Sequence, residues 1–333
     1  MLKFLRISLP TLVLALPGIA VAQTPEKITM IMPWTAQAEQ GGFWQAAVKG
    51  IYKKYGIDMM IRPGGPQLNT GQMLAAGAVD FRASRNSGET INFAINNAPA
   101  IAVAALLQKE PVVLITHPDV GINSFEDMRG KPIAISQSVV DTWWRYLKAK
   151  YGFTDAQVRP YTFQIAPFLV NKDLVQQGFL TSEPFAVEKT GGFKPKIFLI
   201  ADTGWEAYST LIETTTDMVA KKPDLVQRVV DASIEGWYGY MYADRTEANA
   251  AIKGANPDMT DAQLQYSFDK MKEYGIVDSG DALKLGIGAM TDERWKKLAD
   301  IGVAAGVYPA HVDYKKTYTL KFVNKGFGLN LKK

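Results

Sequence analysis

Short apolar runs alternate with helical patterns along most of the chain. Lys27–Met32 (KITMIM) reads as a buried strand and is followed by the polar loop Trp34–Gly41. Gly42–Tyr55 carries Phe43, Ala47 and Ile51 at helical spacing and stops at Gly56. Ile57–Ile61 is the next strand, closed by the turn signal Pro63-Gly64-Gly65-Pro66. Asn69 is placed to cap a helix through Ala76, with Gly77 as its left-handed terminator, before a third strand at Val79–Phe81. Strand, helix, strand, helix, strand predicts a parallel sheet with right-handed crossovers, whose ligands bind beyond the carboxyl ends of the strands.

The pattern breaks near Pro111–Pro118 (PVVLITHP) and a second α/β unit opens. Ser124-Phe125-Glu126-Asp127 reads as the start of a helix closed by Gly130, and Lys131–Ser136 as a strand. That strand runs into Gln137–Asp141, taken as the start of a helix reaching Tyr151. Further strands are expected near Val158–Gln164, Gly178–Ser182 and Lys196–Ala201. From Pro223 the pattern is helical, with Val226, Val229, Val230, Ile234, Trp237 and Met241 in one apolar stripe. Thr260 and Gln263 form a capping box for a helix through Tyr274.

Composition narrows the class. The 333 residues are 47% hydrophobic and 21% charged, an ordinary globular balance, and about two domains are expected from the length. The net charge is only +4, without long charge runs, which argues against a nucleic-acid groove. Lys3 and Arg6, the apolar stretch Ile7–Val21 and Ala20-Val21-Ala22 have the layout of a secretory signal peptide cleaved after Ala22. The stretch holds Pro10 and Pro17 and falls short of the roughly 20 residues that span a bilayer. With no Cys there is no thiol there to carry a lipid, so a freely soluble periplasmic product is expected.

Catalytic constellations are missing. The two His, His117 and His311, lie far apart in sequence, and His117 reads as a strand-end or hinge residue. No zinc or iron–sulfur spacing, GxxxxGK loop, GxSxG elbow or GxGxxG fingerprint occurs, and Gly41-Gly42 stands alone. No catalytic residue, metal or cofactor is therefore assigned. What remains is a set of polar and aromatic loops after strands. Trp34–Phe43 carries Gln37, Glu39 and Gln40, and Arg82–Glu89 carries Arg82, Ser84, Arg85 and Asn86. Ser136, Gln137 and Ser138 precede a helix whose free N–H groups suit an anionic or polar atom, although Asp141 would repel a bare anion. Trp34, in a polar loop, is a stacking candidate, whereas Trp144, Trp237 and Trp295 read as core.

The runs KITMIMPWTAQAEQGGFWQAAVKGIYKKYGIDMMIRPGG, QMLAAGAVDF, INSFEDMRGKPIAIS, LTSEPF and AYSTLIETTTDMVAKKPDLVQRVVDASIEGWYGY, in that order and spacing, resemble the periplasmic substrate-binding proteins of nitrate/taurine-type ABC importers. More narrowly they are similar to the thiamine-pyrimidine-precursor-like branch. The resemblance implies the type II periplasmic binding protein fold, two α/β lobes that hinge over one small molecule. With 1–22 set aside as signal peptide, it implies 23–118 as the first part of lobe one, 119–217 as lobe two and 218–333 as the completion of lobe one. Hinge segments are then expected at Val112–His117 and Leu211–Asp217, where the strand pattern passes from one unit to the other.

In pyrimidine-binding relatives the first loop supplies a Trp and often a His six residues on. Here Trp34 matches the Trp, Gln40 stands at the His position and Glu39 at the Asn before it. Glu183, before Pro184, matches the family's Glu-Pro pair, whose Glu faces the ligand. Arg82 stands where a small residue is common and would favour a carboxylate or sulfonate. The implied function is delivery of a small aromatic or heteroaromatic, acidic molecule to a membrane permease. Trp34, Phe43, Phe163, Trp205 and Tyr208 would stack, and Arg82, Gln137, Gln164 and Glu183 would line the cleft. Alkanesulfonates or nitrate-like anions are the alternative ligands. The eukaryotic thiamine-pyrimidine synthase shares the resemblance but uses a Cys-rich iron motif that this chain lacks. A sensor that presents its ligand to a signalling partner has no contrary feature in the sequence. The implied partners are the ligand, an ABC permease and its ATPase in the inner membrane, with a monomeric chain and no nucleic acid.

Overall fold

A computed structural model describes residues 24–332, so the signal-peptide expectation lies outside the described residues. Ten strands form two five-stranded mixed sheets. They are β1 (Glu26–Ile31), β2 (Ile57–Arg62), β3 (Phe81–Ala83), β4 (Ala100–Leu107), β5 (Val112–Thr116), β6 (Ile133–Ile135), β7 (Val158–Pro160), β8 (Val175–Phe179), β9 (Lys196–Leu199) and β10 (Ser209–Thr215). The first sheet has the order β2-β1-β3-β10-β4 and the second β7-β6-β8-β5-β9. The two orders follow one plan. Three parallel strands are joined by one antiparallel strand that enters from the other unit, β10 in the first sheet and β5 in the second.

That plan corrects the expected boundaries. β5 hydrogen-bonds to β8 and β9, so Val112–His117 belongs to the second sheet rather than to a hinge. β10 hydrogen-bonds to β3 and β4, so Leu211–Asp217 belongs to the first unit. The chain crosses between the sheets at residues 108–111 and 200–208. Both crossings are held at one end. Gln108 donates from its backbone to Ile276 O and from its amide to Ala289 O, which ties it to the first unit. Thr203 O accepts from Tyr146 Oη at 2.5 Å and from Lys150, which ties that end of the second crossing to the second unit. Arg294 donates to Glu206 O and Gln108 O and lies 4.0 Å over the Tyr208 ring, so one guanidinium clips both crossings to the first unit. Between those ties lie Glu110–Pro111 in the first crossing and Gly204 in the second, whose φ of +99° suits glycine.

Helical expectations fared unevenly. Asn69 caps Thr70–Ala75 through Gln72 N, and Pro223 opens a helix to Tyr242 whose expected stripe is buried. Gly41 and Gly42 owe their place to packing, since a Cβ on Gly42 would meet the Trp237 ring at 2.1 Å. Ser124–Gly130 holds only a 3-10 turn, Glu126–Met128. The helix expected from Gln137 begins at Trp143, because Thr142 (φ −125°, ψ −117°) leaves helical geometry; Gln137–Val139 is a 3-10 turn. The strand expected at Gly178–Ser182 is Val175–Phe179, and Gln263 caps with its backbone while its side chain goes elsewhere.

Candidate functional site

The loop after β1 meets the loops after β7 and β8 at the seam between the units. Trp34 and Phe163 face each other across it with ring centroids 4.9 Å apart, tilted by 53°. Phe163 is exposed on its other face and held at φ +64°, with Tyr161 5.1 Å beyond. Gln40 pins the first loop by donating its amide to Trp34 O and Thr35 O at 3.2 and 3.0 Å. Its Oε1 is buried without a hydrogen-bond partner among the described residues.

Below the aromatic pair the seam is acidic. Glu39 Oε1 accepts from the Thr181 hydroxyl across the seam, while Glu39 Oε2 is buried and unpartnered among the described residues. Burial raises the Glu39 carboxyl to about 7, a backbone hydrogen bond opposes the rise, and the charge of Glu183 adds to it. Glu183 is also raised by burial, although Phe179 N and Tyr161 Oη donate to its two oxygens at 2.6 and 2.7 Å. Thr181 O then accepts from Gln263 Nε2 at 2.8 Å and Ser267 Oγ at 2.7 Å. Two buried carboxyls across one seam repel if both ionise, which favours keeping a proton on one of them.

At the first crossing Glu110 forms a third acidic point. Its Oε1 accepts from Asn86 Nδ2 at 2.5 Å, and its Oε2 lacks a partner among the described residues, as does the nearby Tyr308 hydroxyl. Burial raises the Glu110 carboxyl to about 8, against the Asn86 hydrogen bond and with help from Glu89.

The remaining expected site residues divide clearly. Arg82 is fully buried: Nε donates to Glu213 at 2.7 Å, Nη1 to Thr70 at 3.2 Å and Glu89 at 3.3 Å, and the guanidinium lies 4.4 Å over Phe93. It is an internal ion pair, not a carboxylate receptor. Phe43 is buried against Trp237, 6.2 Å away, and is core. Trp205 is buried on Tyr146 at 5.2 Å, and Tyr208 is buried under Arg294 with its hydroxyl accepting from Thr291 N; both belong to the second crossing. Asp141 is an exposed partner of Arg145 at 2.7 Å, and Gln137 and Ser138 are exposed on a 3-10 turn. Ser136 N donates to Gln177 and its hydroxyl meets Ser138 at 2.9 Å. Asn86 caps the helix Ser87–Ile95, Arg85 N donates to Glu89, and Ser84 Oγ is buried and unpartnered among the described residues. Gln37 makes no cap hydrogen bond, and Gln164 faces a neighbouring depression on the second sheet.

The seam therefore brings together Trp34, Glu39, Gln40, Phe163 and Glu183. Sequence reasoning missed Thr181, Tyr161, Ser267 and Glu110. Thr181 stands one residue before the Ser-Glu-Pro stretch, and Glu110 directly before a proline at the pattern break. Such an arrangement can stack a flat ring, accept hydrogen bonds through carboxyl oxygens, and donate one through a protonated carboxyl. Among the described residues no group of acidic or His side chains could hold a metal ion, and no helix is long and apolar enough to cross a membrane.

Residues 37–248 match the family described as NMT1/THI5 like. The riboflavin-binding protein RibY of Chloroflexus aurantiacus is 24% identical over 321 residues, covering 94% of this chain and 90% of its own. The periplasmic sulfonate-binding protein SsuA of Methylobacillus flagellatus has a similar structure, with a TM-score of 0.65 at 16% identity over 93% of this chain and 97% of its own. The desulfurization enzyme DSZB is also similar, with a TM-score of 0.57 at 14% identity over 92% of this chain and 99% of its own. These likenesses give the chain the periplasmic binding protein fold. That fold hosts a binding protein in one neighbour and an enzyme in another, so the role has to be argued from the seam itself.

Proposed function

The chain belongs to the NMT1/THI5-like family, and from that premise we propose that it is a periplasmic solute-binding protein that hands a small flat molecule to an ABC permease. The observation that carries this reading is the seam. Two units joined by two crossings meet through an aromatic pair, Trp34–Phe163, and through Glu39 against Thr181. A ligand taken between Trp34 and Phe163 would bury two ring faces and be ordered by the carboxyls beneath them. Opening at Glu110–Pro111 and Gly204 would admit it.

The ligand class that fits is heteroaromatic with ring N–H and carbonyl groups. A protonated Glu39 can donate to a ring carbonyl, and Gln40 Oε1 and Glu183 can accept from ring N–H groups. The fused pyrimidine-dione of a flavin has that pattern, and the riboflavin-binding relative supports trying it first. Anions such as alkanesulfonates fit less well. Arg82, the cation expected to receive them, is committed to Glu213, and the seam offers carboxyls instead.

A thermal-shift panel on chain stripped of carried-over ligand by partial unfolding and dialysis tests this. Riboflavin, free pyrimidines, aromatic carboxylates, alkanesulfonates and nitrate are compared. A ligand at about 100 times its Kd stabilises by about 2.7 kcal/mol, so a flavin or pyrimidine should raise the midpoint by several degrees. Flat curves across the panel for a folded chain overturn the reading, and a shift with sulfonate alone overturns the ligand class.

A further inference from the structure

Beside the seam, the second sheet carries an open depression of about 370 Å³ that meets it at Tyr161 and is lined by no residue of the first unit. Its floor is one cross-strand row. Arg159 on β7 and Gln176 on β8 both pair with Ala134 on β6, so the three side chains share one face of the sheet. With strands about 4.8 Å apart, Arg159 and Gln176 stand about 10 Å from each other across the smallest side chain of the row. The short helix Ala166–Val170 would be expected to cover this floor. It forms part of the wall instead through Pro167 and Val170, while Phe168 O meets His117 Nε2 at 2.8 Å and the Phe168 and Phe193 rings lie against the imidazole. Its last residue, Val170, is left 86% exposed at the rim.

Gln176 is the informative residue. It lies in the body of the sheet, only 1% exposed, yet its Nε2 has no hydrogen-bond partner among the described residues. A buried amide of that kind calls for an acceptor from elsewhere. At the other end of the row, Arg159 Nη1 is used by Ala156 O and Val158 O, both at 2.9 Å, which leaves Nε and Nη2 for a further acceptor. Pro132, Pro160, Pro167 and Leu174 supply apolar walls between them.

We infer that this depression is a second ligand site, which takes a small carboxylic acid with an apolar body: the carboxylate is held by Gln176 Nε2 at the floor or by Arg159 at the mouth, and the body lies over Ala134. The site lies on the flank of the second unit beside the solute seam, with Tyr161 on the border of both.

The test uses 4-fluorobenzoate and 4-fluorobenzamide as probes, with fluorine NMR line broadening on the whole purified chain. The acid should bind saturably and at least tenfold more tightly than the amide. Gln176→Leu should abolish binding while raising the unfolding midpoint, because it removes an unpaired buried amide. Ala134→Leu, which fills the gap without touching a polar group, should abolish it too. Arg159→Ala should weaken it about tenfold, and Trp34→Ala should leave it unchanged. Absence of saturable binding by either probe overturns the proposal, as does binding that survives both Gln176→Leu and Ala134→Leu. Loss in Trp34→Ala would assign the probe to the seam, and equal affinity for the amide would overturn the carboxylate class.

Discussion

The two sheets follow one strand plan but treat the same place in it differently. In the first, the antiparallel pair β3–β10 sets Arg82 opposite Glu213, with Thr90 donating to the second oxygen of that carboxylate at 2.5 Å. Glu89 adds a second carboxylate at Nη1, and only Nη2 is left without a partner among the described residues. Burial alone would raise the Glu89 carboxyl, but Arg82 and then Arg85 hold it below the usual range. In the second sheet the corresponding pair β8–β5 sets Gln176 opposite Ile115, and the amide goes unanswered. A buried polar group met by partners is scaffold, however chemically suggestive its side chain. One left unmet at the wall of an open depression, as Gln176 Nε2 is, leaves a donor for an acceptor from outside the chain.

The largest test of that distinction removes the partner on the satisfied side. Glu213→Ala leaves a buried guanidinium short of its main counter-charge and should cost about 3–5 kcal/mol in denaturant unfolding. A loss under about 1 kcal/mol would mean Arg82 is not held by that pair. Trp34→Ala comes next: ligand affinity should fall by about 1–3 kcal/mol, measured by calorimetry, with the unfolding midpoint nearly unchanged. Equal affinity in the variant would take Trp34 out of the site.

The unmet carboxyls of the seam should show themselves through pH. Glu39 binds its proton more tightly when the seam is closed (about 7) than in an unfolded chain (4.5), and Glu110 does likewise at about 8. Their contribution is therefore fully present below about pH 4.5 and is lost as pH rises through 7 to 8. Stability in denaturant unfolding should fall over that window. Glu39→Gln should remove the lower part of the dependence and keep the Glu110 part; an unaltered profile would show that Glu39 ionises freely. The smallest effect lies outside the comparison and calibrates it. Thr260→Ala removes the cap that accepts from Gln263 N and should cost about 1 kcal/mol without changing affinity or pH profile.

How far the sequence carried depended on the range of the interaction. Local signals worked: the apolar run at Lys27–Met32, the Asn69 cap and the Pro223 stripe became β1, the Thr70–Ala75 helix and the long helix to Tyr242. β4 escaped notice because AIAVAALL, rich in Ala, lacks the alternation or β-branched density of a strand. The crossings were misplaced because hydropathy says that β5 and β10 are buried strands but not which sheet receives them. Arg82 was read as a ligand receptor because its neutralising carboxylate lies 131 residues away. Among site residues, Trp34, Glu39, Gln40 and Phe163 were legible from their loop after β1 or from their chemistry. Thr181 and Glu110 were not, since only tertiary packing brings a hydroxyl and a carboxyl to the seam. Gln263 shows the same limit within one helix, where a capping pattern predicted its backbone contact and the side chain went to Thr181 O instead.

The placement of β10 has a consequence for the order in which the chain can acquire its structure. Every strand of the second sheet comes from one continuous stretch, residues 112–199, whereas the first sheet stays split between β3 and β4 until residues 209–215 arrive from beyond it. Loop-closure entropy grows with the length of chain enclosed, and non-local pairings are slow to form. The second unit can thus assemble while the first is still an open pair of half-sheets, and the insertion of β10 becomes the late step that completes the first sheet. Until that step Arg82 lacks Glu213, so the buried ion pair at the centre of the first sheet is among the last contacts to form.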